Sequence, residues 1–128
     1  MTKIATERCL LRSWRPEDAP RVLDVYSRWE VARWLGTIIL VPLPDGDGEF
    51  EVGWHLHPDA WGHGYASEGA RAALRWGFDH ALPEVFAVVR PDNAASLAVC
   101  RRIEMAALGR TTRYYETEVE LFRATAGP

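Results

Sequence analysis

The stretch that decides the fold is Phe50-Glu51-Val52-Gly53-Trp54-His55-Leu56-His57-Pro58-Asp59-Ala60-Trp61-Gly62-His63-Gly64-Tyr65-Ala66-Ser67-Glu68-Gly69-Ala70. Its first seven residues are strand-like. A glycine-spaced turn follows at Trp61, and a helix-like run opens near Ser67 and ends near His80. Strand, glycine turn and helix together present free backbone N–H groups to a phosphate. The first N–H groups of a helix lack internal partners, and the helix dipole adds partial positive charge there. Glycines at 62 and 64 let backbone approach a ligand with no Cβ in the way. A Gly-x-Gly alone is common, so its neighbours decide what it means.

Working outward, Thr37-Ile38-Ile39-Leu40-Val41 is rich in β-branched residues and predicts a buried strand. Pro44-Asp45-Gly46-Asp47-Gly48 is a turn, so this strand and the one over Glu49 to His57 predict an antiparallel hairpin. Pro58 ends the pairing because it has no N–H to donate. The helix after the turn carries Ala66, Ala70, Ala73, Leu74 and Gly77 on one face, small enough for close approach to a sheet. Val85 to Val89 is a continuous apolar run, of the kind covered on both faces. Asp92 or Asn93 can cap a helix running to about Met105. Arg110 to Tyr115 and Glu118 to Phe122 predict a closing hairpin. Upstream, Cys9 to Arg12 reads as a short strand. Pro16-Glu17-Asp18 starts a helix reaching about Arg28, and a short helix over Val31 to Leu35 stops at Gly36. The order predicts an α/β fold, a mixed sheet with helices on both faces, in a single domain over residues 1–128.

The 128 residues suffice for one domain with a sizeable core. A net charge of −3 supplies no general attraction to nucleic acid or an anionic membrane, and neither is expected as a partner. No apolar run is long enough to span a bilayer, and the first residues lack the apolar stretch of a secretory signal. Cys9 and Cys100 stand in no metal spacing and read as reduced core thiols. These features predict a cytoplasmic protein.

With its flanks, the opening stretch resembles the acetyl-CoA-binding motif of the GNAT N-acetyltransferases, most of all the branch containing the ribosomal-protein alanine N-acetyltransferases. Asn93-Ala94-Ala95-Ser96 after the apolar strand is a second match. Thr6-Glu7-Arg8-Cys9-Leu10-Leu11-Arg12 with Trp14-Arg15-Pro16-Glu17-Asp18-Ala19 is a third. The resemblance covers nearly the whole chain and implies the GNAT-like acyl-CoA N-acyltransferase fold. It implies that acetyl-CoA is the cosubstrate and a primary amine the acceptor, either a protein N-terminus or a small amine. Trp61, Gly62, His63, Gly64, Tyr65, Ala66 and Ser67 would hold the pyrophosphate. The strand end at Leu56 and His57 would pair with pantetheine, and Asn93 and Ser96 would lie beside its thiol. The superfamily often has Gln or Arg where this chain has Trp61, but Trp is common in this branch.

Direct acetyl transfer requires a base for the acceptor ammonium, since only the neutral amine attacks. It also requires donors for the oxyanion and an acid or donor for the leaving thiolate. The resemblance makes Ser96 the candidate for the thiolate, and a backbone N–H near Leu56 or His57 the oxyanion donor. Glu51, on the central strand, is the first candidate base, and Glu116, in the closing hairpin, is the alternative. Tyr114 and Tyr115 are candidate hydroxyl donors to thiol or acceptor. His55, His57 and His63 share no compelling spacing with further ligands, so no metal is expected.

The chain departs from the family in two places. Members of this branch have a further helix and strand before the hairpin, whereas here Trp34-Leu35-Gly36 runs almost directly into Thr37. Without them the first strand must join differently, or a sheet edge is exposed. A homodimer covering that edge is one arrangement open to the chain, and a non-catalytic acyl-CoA-binding module is the alternative function. The second departure is Glu104, where the family has Gly at a left-handed helix end, which implies local strain or a reshaped cap.

Overall fold

In the computed structural model, whose described residues are 3–12, 36–56 and 61–127, the glycine turn joins a central strand to a helix as the sequence predicts. The strands are β1 (Lys3–Ala5), β2 (Leu10–Arg12), β3 (Gly36–Pro42), β4 (Phe50–Leu56), β5 (Glu84–Val89), β6 (Ala106–Thr111) and β7 (Val119–Thr125). The helices are α1 (Tyr65–Asp79) and α2 (Ala94–Arg102). The expected helices over 16–28 and 31–35 lie outside the described residues, as does His57.

The main sheet has the order β3-β4-β5-β7-β6 and is mixed. β3 and β4 form the expected antiparallel hairpin, with Ile38 opposite Trp54 and Leu40 opposite Val52. β4 pairs in parallel with β5, and β7 runs antiparallel to both β5 and β6. The crossover from β4 to β5 is α1, which is how parallel neighbours are joined.

Strand alternation sends Val52, Trp54 and Leu56 to one side of β4 and Glu51, Gly53 and His55 to the other. On the first side Val52 packs with Ala70 and Leu74 of α1, Val99 and Cys100 of α2, and Val85 and Ala87 of β5, in one buried core. Ala70, Ala73, Leu74 and Gly77 are buried and Ala66 is half-buried, so the small-residue face turns inward as expected. The close approach is real: a Cβ on Gly69 would lie 2.9 Å from Ile38 Cγ1. β5 corrects one expectation, because its burial alternates. Val85, Ala87 and Val89 are buried while Phe86 and Val88 are only half-buried.

Several boundaries also differ. β2 is the second arm of a hairpin whose first arm, β1, the sequence did not signal. Its turn is closed by Thr6, whose N–H donates to Cys9 O at 2.8 Å and whose hydroxyl accepts from Cys9 N at 2.9 Å. Gly36, expected as a helix stop, is the first residue of β3, with φ +146°, and a Cβ there would collide with His55 O. α2 ends at Arg102, three residues before Met105. Glu104 takes the left-handed conformation, φ 63°, while its N–H donates to Arg101 O and Met105 N–H donates to Cys100 O, each at 3.0 Å. This is a Schellman cap with glutamate in the glycine position. α1 ends the same way on Ala81, φ 70°, with Leu82 N–H donating to Gly77 O.

Among the described residues β1 and β2 form a separate two-stranded sheet, and β3 is an edge of the main one.

Candidate active site

The glycine turn begins with Trp61, an exposed residue whose indole N–H donates to Leu56 O at 3.1 Å, tying the turn to the end of β4. Gly62 and Gly64 are both left-handed, φ 79° and 78°. Gly64 is the N-cap of α1, and no side chain caps the helix. The intrahelical ladder begins with Glu68 N–H donating to Gly64 O at 3.0 Å, so the N–H groups of 65–67 face outward from the positive end of the dipole. Ser67, in the same turn, is 4% exposed, and its hydroxyl has no hydrogen-bond partner among the described residues.

Glu68 ties this turn to the β1–β2 hairpin. Its Oε2 accepts from the Thr6 hydroxyl and from Arg8 N–H at 2.9 Å, and its Oε1 accepts from Arg8 Nε at 2.7 Å. These donors hold its carboxyl down at about 2. The Arg8 guanidinium lies 4.7 Å from the centre of the Tyr65 ring.

β4 and β5 splay apart. Their pairing is limited to Phe50 with Val85 and Glu51 with Phe86, after which the strands diverge. Ser96 stands at the helix side of this gap, on the first turn of α2. Its N–H donates to the Asn93 cap Oδ1 at 3.1 Å, and its hydroxyl oxygen accepts from Trp54 Nε1, also at 3.1 Å. The serine proton is therefore left to donate elsewhere.

On the other side of β4, Glu51 is only 4% exposed and accepts a hydrogen bond from the Tyr115 hydroxyl. Burial pushes its carboxyl up to about 7. Tyr115 sits in the β6–β7 loop at φ 57°, followed by Glu116 at φ 53°. Two consecutive left-handed residues that are not glycine cost energy, and such strain gathers at functional sites. The same loop is anchored by Tyr114 OH donating to Glu49 at 2.9 Å and Arg113 Nη2 donating to Asp47 at 2.6 Å.

One continuous cleft is lined by Glu51, Leu56, Trp61, Gly62, Gly64, Tyr65, Ala66, Ser67, Asn93 and Ser96. His63 is exposed and stacks on Tyr65, with ring centres 5.4 Å apart. Glu116 is exposed and outside the cleft lining, which instead takes up Tyr115 and Thr117 on either side of it. The sequence reading missed three connections: Trp54 to Ser96, Tyr115 to Glu51, and Arg8 to Glu68. Tyr115, a candidate hydroxyl donor to thiol or acceptor, donates instead to the Glu51 carboxylate. Among the described residues no three His, Cys, Asp or Glu side chains gather as a metal site.

A family model described as the acetyltransferase (GNAT) domain matches residues 35–106. The chain belongs to the GNAT acetyltransferase family. An uncharacterized N-acetyltransferase of Bacillus subtilis, YnaD, is 38% identical over 61 residues, which are 47% of this chain and 36% of that protein. The chain thus spans about a third of the length of this GNAT relative. A GNAT-family acetyltransferase from Bacillus anthracis superposes with TM-score 0.81 at 21% identity, over 98% of this chain and 99% of its own. The shortened GNAT fold therefore has a solved counterpart of matching extent. Two longer neighbours share the fold. The ribosomal-protein-S5-alanine acetyltransferase of Vibrio fischeri has TM-score 0.61 and 17% identity, covering 72% of this chain and 54% of that one. Mycobacterium smegmatis RimJ, solved with CoA-disulfide, has TM-score 0.64 and 24% identity, covering 73% and 48%. Among the described residues no GNAT helix is long and apolar enough to cross a membrane.

Proposed function

We propose that residues 1–128 act as one GNAT domain that binds acetyl-CoA and transfers its acetyl group directly to a primary amine, a protein N-terminus or a small amine. The observation that carries this reading is the gap between β4 and β5. It is flanked by a buried carboxylate on one side and a serine hydroxyl on the other, and it lies in the same cleft as an uncapped, glycine-opened helix N-terminus.

In this reading the pyrophosphate takes hydrogen bonds from the turn Trp61 to Ser67, and pantetheine follows the free side of β4 toward Leu56 and His57. The acetyl carbonyl then sits in the gap. Glu51 accepts the proton of the acceptor ammonium, and the neutral nitrogen attacks the carbonyl carbon. The tetrahedral intermediate then collapses: the C–S electron pair stays on sulfur, where the Ser96 hydroxyl donates a hydrogen bond to the thiolate, and the second proton lost by the amine nitrogen passes to that sulfur, releasing the amide and the CoA thiol. Glu51 suits the role because a base is most effective when its pKa lies near the working pH. Its burial supplies that. Glu116 has no comparable position. The unpaired thiols Cys9 and Cys100 suit a reducing cytoplasm. Among the described residues β3 lies at the edge of the sheet, an arrangement a homodimer would suit, which light scattering tests.

The test of function is thiol release from acetyl-CoA across a panel of peptides and small amines. Release well above background with at least one acceptor is expected. Tight CoA binding with no transfer to any member of the panel would favour the non-catalytic module instead.

A further inference from the structure

The phosphate turn has a charge problem that its own residues do not solve. Its side chains are Trp61, His63 and Tyr65, and the next acid along is Glu68, which stays ionised over the whole working range of pH. A pyrophosphate seated on the N–H groups of 65–67 would face that carboxylate with only the helix dipole in its favour. The second sign of a ligand here is Ser67, a buried hydroxyl with no partner among the described residues, lining the same cleft.

Arg8 reaches this place from the β1–β2 hairpin. Glu68 takes up its Nε–H and its backbone N–H, and the guanidinium lies over the Tyr65 ring. Its Nη2 comes within 3.4 Å of where a Cβ on Gly64 would stand, which puts the outer edge of the fork beside the helix cap. An arginine held at Nε and stacked on an aromatic face has lost little freedom to lose again, and its remaining N–H groups match two phosphate oxygens.

On the acetyl-CoA reading above, we propose that Arg8 is a cofactor-binding residue whose Nη groups hydrogen-bond the CoA pyrophosphate, with Glu68 and Tyr65 as its positioning residues. The N-terminal hairpin then completes the phosphate site from outside the β4–turn–α1 unit. Glu68 offsets the charge of Arg8, so the gain lies in short directed hydrogen bonds.

Titration calorimetry with CoA and with dephospho-CoA, at fixed ionic strength, tests this on the wild-type chain and the variants Arg8→Ala, Arg8→Lys and Glu68→Gln. Arg8→Ala should weaken both ligands by about tenfold or more, and Arg8→Lys should recover only part, because it keeps the charge and loses the fork. Glu68→Gln keeps an acceptor for Arg8 Nε and removes an anion beside the phosphates, so it should bind within about threefold of wild type. If Arg8 only fastens the hairpin, Arg8→Ala and Glu68→Gln will weaken binding alike, and the proposal falls. A loss seen with CoA and absent with dephospho-CoA would move the contact to the 3′-phosphate and overturn the assignment to the pyrophosphate. Should Arg8→Ala not fold, Arg8→Lys binding both ligands as wild type does would overturn it equally. A wild-type chain that binds neither ligand defeats the acetyl-CoA reading itself, whereas binding unaffected by folded Arg8→Ala defeats only the role of Arg8.

Discussion

Glu51 carries two consequences that pull in opposite directions. As a base it works only when ionised, so activity at saturating substrates should rise through a limb near pH 7. Glu51→Gln should remove that limb and lower kcat by about 10²–10⁴-fold, measured as thiol release against pH. For stability the sign reverses. The folded carboxyl holds its proton more tightly than the unfolded one, whose pKa is near 4.5. The folded state therefore binds more protons between pH 4.5 and 7, and stability falls as pH rises through that window. Glu51→Gln, a neutral side chain of the same shape, should be more stable than wild type at pH 8, by up to about 3 kcal/mol, and nearly equal to it at pH 4. Denaturant melts at the two pH values measure this. A variant that is inactive yet more stable is the signature of a residue kept for chemistry. Ser96 belongs to the same scale. Ser96→Ala should slow turnover and leave CoA affinity within a few-fold, which steady-state kinetics and calorimetry separate.

At the scale of elements, the start of α1 and the end of α2 show opposite uses of the left-handed backbone. Gly64 spends no strain at φ 78° and opens α1 to a ligand, so Gly64→Val should weaken CoA binding while α1 still forms. Glu104 at φ 63° closes α2 with the same conformation in an unsuitable residue. Glu104→Gly should raise stability by about 1 kcal/mol, read from a chemical melt, with the Schellman hydrogen bonds kept. These ends also mark what the sequence could show. The strand, turn and helix over 50–79 were legible because glycine spacing and small-residue periodicity are local signals. The hairpin β1–β2 was not, because its turn is closed by a threonine hydroxyl and contains neither glycine nor proline. The left-handed cap at Glu104 was legible through the family resemblance, although the helix itself ends at Arg102, three residues before Met105.

For the whole molecule, the half of the site proposed for the cofactor was written in consecutive residues and the half proposed for the chemistry was not. Glu51 was identifiable as a carboxylate on the central strand. What raises its carboxyl to about 7 is burial beside a loop whose Tyr115 lies 64 positions away, and no spacing rule reaches that far. The same holds for Arg8, 60 positions from Glu68. Among the described residues β3 lies at the edge of the sheet, and the β4–β5 gap, the turn and α2 are all in place. The measurement that tests the account most directly is an experimental structure of the chain with acetyl-CoA. The pyrophosphate should lie on the N–H groups of the Trp61–Ser67 turn, with the thioester in the gap between Ser96 and Glu51. A cofactor bound elsewhere on the fold, or a thioester lying outside that gap, would contradict it.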